Sequence, residues 1–104
     1  MLRTLGEAYK VAQLQSQQLT PLRAFYLATL GAARNLRLDD RIGRFAAGLE
    51  ADFIVLDPHA TPLIARRMQQ CRSLAEQLLV WMTLGDDRAI AATYVLGQRA
   101  WARS

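Results

Sequence analysis

Two Thr-Pro steps, Thr20-Pro21 and Thr61-Pro62, constrain this chain more than any other feature of it. A threonine hydroxyl can accept an amide hydrogen from a helix's first turn, and proline at the next position gives up a donor that the first turn would leave unpaired. Each step therefore starts a helix, and the stretch between them must accommodate the rest of the architecture. Within it, Phe53-Ile54-Val55-Leu56 is a continuous β-favouring run that Asp57-Pro58 ends. Four consecutive apolar residues without alternation predict a strand covered on both faces.

Around these markers the apolar periods supply the remaining elements. Leu2, Leu5, Tyr9 and Ala12 recur at helical steps, with Val11 and Leu14 widening the stripe, and Gln13 to Gln18 form a polar end. No Ser, Thr, Asp or Asn precedes Leu2 to satisfy the first amides, which predicts a chain cut from something longer. The second helix presents Leu22, Phe25, Tyr26, Thr29, Ala33 and Leu36 on one face. Gly31 inside it costs about 1 kcal/mol relative to alanine. The smooth surface Gly31-Ala32-Ala33 predicts close approach of another backbone in return. Asp39-Asp40-Arg41 and Ala47-Gly48-Leu49-Glu50 read as turns on either side of a bend at Ile42-Gly43-Arg44-Phe45. A third helix is expected from about Pro62 to Leu84, its stripe running through Ile64, Met68, Cys71, Ala75, Leu78 and Met82, with Leu74, Leu79 and Trp81 alongside. Gly85 ends it, and Asp86 or Asp87 caps a further short turn. Tyr94-Val95-Leu96 and Arg99-Ala100-Trp101 frame Gly97-Gln98, which fits a type II′ hairpin with Gly97 at the first central position. The order helix, helix, strand, helix, hairpin makes an α+β chain whose three short strands form only part of a sheet.

Composition removes several function classes. The chain has 104 residues, enough for one small domain, and at 52% hydrophobic it is too apolar for disorder. A single cysteine, Cys71, excludes an internal disulfide framework and a multi-cysteine zinc site, and a single histidine, His59, excludes a histidine-based catalytic zinc centre. The net charge of +4 comes from scattered arginines interspersed with aspartates, a solvated mixed-charge face rather than a nucleic-acid surface. No apolar run approaches the roughly 20 residues that cross a bilayer, and residues 1–10 do not read as a secretory signal, so the expected location is the cytoplasm. Phosphate-loop, dinucleotide and H-E-x-x-H motifs are missing from the sequence. His59 reads as a loop residue, and Cys71 as a buried, inert thiol. Asp39-Asp40, Asp52 and Asp86-Asp87 read as caps of turns and helix starts, and Tyr94 and Trp101 as residues that fix strand register or complete a core. The side chains themselves therefore nominate no catalytic, cofactor-binding or metal-binding residue.

One stretch carries a resemblance. Ile42-Gly43-Arg44-Phe45-Ala46-Ala47-Gly48-Leu49-Glu50-Ala51-Asp52-Phe53-Ile54-Val55-Leu56-Asp57 resembles the C-terminal pattern of the amidohydrolase superfamily, with Thr29 to Leu36 and Tyr94 to Gln98 matching the flanking helix and closing hairpin. Thr83-Leu84-Gly85-Asp86-Asp87-Arg88-Ala89-Ile90, with Met1 to Lys10, is similar to the guanine deaminases within it. The resemblance implies that residues 1–40 are terminal helices of a metal-dependent (β/α)8 barrel. Residues 41–104 would then be the C-terminal part of a composite β-sandwich, including the 62–84 helix, with the barrel itself upstream. It implies a parent enzyme that hydrolyses guanine to xanthine and ammonia with a water activated by zinc, whose ligands lie upstream of this segment. It also implies a homo-oligomer, no nucleic-acid or membrane partner, and a segment that is inactive alone and structural in role. The other zinc deaminase design, with paired cysteines, is excluded by the single Cys71. Two alternatives remain at this level. One is an aminohydrolase of the same superfamily acting on another purine or a triazine. The other is a free-standing interaction module dimerising through the long helix.

Overall fold

The computed structural model describes residues 1–103. Helices α1 (Leu2–Leu14), α2 (Pro21–Ala28) and α3 (Leu30–Asn35) precede strand β1 (Phe53–Leu56). Helices α4 (Pro62–Met68) and α5 (Leu74–Leu84) follow, then a single 3-10 turn (Asp87–Ala89) and strands β2 (Ile90–Val95) and β3 (Gln98–Ala102). Both Thr-Pro starts form as expected: Thr20 Oγ1 accepts the Arg23 amide and Thr61 Oγ1 the Ile64 amide, each at 3.2 Å. The turns at 39–41 and 47–49 and the bend at 42–44 also stand where the sequence puts them.

Two expected long helices are each broken. The helix over 62–84 is two, because a second cap intervenes. Ser73 Oγ accepts the Glu76 amide at 3.2 Å, and the Glu76 carboxylate reaches back to the Arg72 amide. This is a variant of the reciprocal capping box, satisfying amides on both sides of a fresh helix start. Cys71 consequently lies in the break, not on a helical stripe, and Leu74 is 61% exposed. The second helix breaks at Thr29, whose amide donates to the Tyr26 carbonyl while its hydroxyl donates to the Phe25 carbonyl at 2.7 Å. With that turn tightened, the intended face no longer runs straight. Leu22 and Leu36 point to solvent, and Ala24 is the fully buried residue of α2. On α1, Leu2 and Leu5 are buried, whereas Val11 and Leu14 are exposed.

The core lies where α1 and α2 pack on α5. Leu5, Ala24 and Met82 form its centre, with Tyr9, Phe25 and Leu79 around them. Backbones approach closely at Gly6, where a Cβ would lie 2.7 Å from the Met82 carbonyl oxygen. A second cluster, Leu2, Trp81 and Ala89 with Leu56, Met68 and Leu78, joins the helices to the sheet. The smooth surface after Gly31 also meets a backbone: at Gly43, with φ of +106°, a Cβ would lie 2.9 Å from Ala33 Cβ.

The sheet is antiparallel throughout, in the order β1-β2-β3. Phe53 pairs with Tyr94 across β1 and β2, and their rings stack 4.5 Å apart. Ile54 and Val55 are 46% and 42% exposed, so the apolar run of β1 is not covered on both faces by the described residues. The helices meet the sheet at the end of β1, where Leu56 packs with Leu2 and Trp81, and no layer among the described residues closes over the middle of this strand. The hairpin differs from expectation by one residue. Val95 pairs with Gln98, which makes Leu96 and Gly97 the central residues, with φ of 54° and 78°. Two positive φ values define type I′ in place of type II′. The reason is external to the hairpin: the Asp52 carboxylate accepts the Leu96 amide at 2.9 Å, and the Ala51 carbonyl accepts the Gly97 amide at 2.9 Å.

Asp57, directly after β1, binds the layers together. Its amide donates to the Ala89 carbonyl at 2.8 Å, and its own carbonyl accepts the Trp81 indole N–H at 3.1 Å. Its carboxylate accepts the His59 amide at 2.7 Å and the Arg103 guanidinium, and Arg103 also donates to the Arg88 carbonyl. The His59 amide, then the Arg103 guanidinium, hold the Asp57 carboxyl below its ordinary 3.8.

Three outcomes are expected. Gly6→Ala forces α1 off α5 and lowers the unfolding free energy in urea by about 1–3 kcal/mol, as overpacking does. Leu96→Asn relieves a left-handed branched side chain and raises stability by about 1 kcal/mol in the same assay. The depressed pKa of Asp57 means that the unfolded chain binds more protons as pH falls through 3.8. The clasp's contribution is thus present above that value and is lost as pH drops through the lower folded value. Unfolding measured between pH 2 and 6 should be less pH-dependent for Asp57→Asn than for the parent chain. Parallel curves would show that the carboxylate does not stabilise the fold.

Candidate functional site

The side chains capable of chemistry are dispersed, and several are engaged by local structure. His59 is exposed in the loop after β1, where its backbone amide, not its ring, makes the bond to Asp57. Cys71 is half-buried between α4 and α5, with its thiol 3.5 Å from the Arg67 carbonyl. Asp39 and Asp40 are exposed in their turn. Asp86 caps the 3-10 turn, accepting the Arg88 amide at 2.9 Å while its two oxygens take the Arg88 guanidinium. That guanidinium, before the amide, lowers the Asp86 pKa, and Asp86 in turn raises that of Arg88. Asp52, Asp57 and Asp86 each accept a backbone amide, so each carboxylate is fixed as a structural acceptor. Tyr94 fixes register against Phe53, and Phe45 stands edge-on to Phe53 at 5.6 Å. Trp101 pairs with Thr93 and is half exposed.

No local sequence signal marks the Asp57–Arg103 ion pair or the Trp81 indole bond. Their partners are 46 and 24 residues apart, beyond any local spacing rule. By contrast, Ser73-x-x-Glu76 was readable as a capping signal and locates the helix break.

An apolar concavity lies between α1, α2 and the sheet and has a volume of about 380 Å³. Leu2, Leu5, Phe25, Phe53, Ile54 and Tyr94 line it, and Asp52 stands at its border. Asp52 is engaged by the hairpin amide, so the groove lacks the converging polar groups with which a site orients a substrate. A zinc ion of the kind the resemblance implies is not fitted by these residues. Among the described residues no group of three or more His, Cys, Asp or Glu side chains could hold a metal. No helix among them is long and apolar enough to cross a membrane.

Comparison with known proteins gives this arrangement a context. The chain is 56% identical over 104 residues to the guanine deaminase of Escherichia coli K12, an alignment covering all of this chain and 24% of that protein. The solved structure of the E. coli enzyme superposes with a TM-score of 0.96 at 55% identity, covering 99% of this chain and 24% of the other. The guanine deaminase of Bradyrhizobium japonicum superposes at 0.86 with 33% identity, over 100% of this chain and 28% of that one. An adenosine deaminase from Xanthomonas campestris, solved with bound zinc, shares the fold at a TM-score of 0.73 and 23% identity, over 97% and 21% of the two chains. The chain thus spans about a quarter of the length of the relatives it matches. The small α+β unit with its three-stranded antiparallel sheet is matched by part of the guanine deaminase structures. Its sequence matches the model of the amidohydrolase family over residues 1–100, and with the fold in agreement the chain belongs to that family.

Proposed function

We propose that this chain is the C-terminal scaffold of a guanine deaminase that hydrolyses guanine to xanthine and ammonia in the cytoplasm. The observation that carries this reading is the 56% identity to the E. coli enzyme across the full 104 residues, together with superposition at a TM-score of 0.96. In this reading, residues 1–40 are the last helices around the (β/α)8 barrel. Residues 41–104 are the C-terminal part of the small β-sandwich, and a zinc centre lies on barrel residues outside this segment. The exposed faces of Ile54 and Val55 and the apolar groove beside β1 support an unfinished sheet that further chain completes. Assembly into a homo-oligomer belongs to the same reading.

The segment's own contribution is mechanical. It offers a packed helical layer, a hairpin locked by Asp52 and a clasp at Asp57, on which a barrel can be seated. Its one histidine and one cysteine cannot by themselves supply the several ligands of a catalytic zinc site.

Two measurements of ammonia release test the proposal. The chain alone, with zinc added, is expected to release none from guanine, and turnover by it would overturn the scaffold role. The full-length product of the gene carrying this sequence is expected to prefer guanine over adenosine, adenine and aminotriazines. Preference for one of the latter would replace guanine deaminase by another aminohydrolase while leaving the family unchanged.

A further inference from the structure

We draw no further inference here: the strongest candidate, the apolar groove between α1, α2 and the face of the sheet lined by Leu5, Phe25, Phe53, Ile54 and Tyr94, carries nothing because nothing in the structure shows what covers it.

Discussion

The indole of Trp81 is the point at which helices and sheet become one body. Trp81 is buried with Leu2 and Ala89, against Leu56 at the end of β1, and its N–H reaches the Asp57 carbonyl. A buried indole donor without a partner would cost about 1–3 kcal/mol, so the ring fits here only while Asp57 holds its place. Asp57 is in turn held by Ala89, by its own loop and by Arg103. Displacing β1 therefore strands a donor in the core as well as exposing apolar surface. Coupling of this kind gives a small core a defined arrangement that hydrophobic contact alone would leave loose.

The parts of this fold that local chemistry dictates were legible in the sequence. Thr20-Pro21 and Thr61-Pro62 start α2 and α4, Phe53–Leu56 is a strand, and of the two candidate caps Asp86 and Asp87 the first holds the 3-10 turn. Apolar periodicity misled where it ran on across a break. Ile64 and Met82 are both buried yet lie on separate helices, so a stripe that runs on in the sequence is divided between two elements. The hairpin type was illegible for a different reason. Leu96 pays a backbone penalty that no hairpin rule would assign to leucine, and the compensating bond comes from Asp52, 44 residues earlier. For the candidate site, composition supplies one constraint: a single histidine and a single cysteine are fewer side chains than a catalytic zinc centre takes.

The stretches that carry the family resemblance coincide with positions where the backbone is most tightly determined. Gly43 adopts a positive φ while resting against Ala33, and Asp52 holds the hairpin tip. Asp57 gathers β1, the 3-10 turn and the C-terminal residues, and Asp86 caps the turn that feeds β2. Gly97 completes a type I′ turn over the Ala51 carbonyl. A sequence pattern can therefore be specific for a family through the backbone geometry it fixes. Turn geometry restricts residue choice as severely as catalysis does, since a left-handed backbone, a capping carboxylate or a close backbone contact each admits few side chains. This accounts for a chain whose relationship to hydrolases is unmistakable while its carboxylates, thiol and imidazole are engaged or dispersed. What the pattern specifies here is a set of turn and capping geometries that few residue types satisfy.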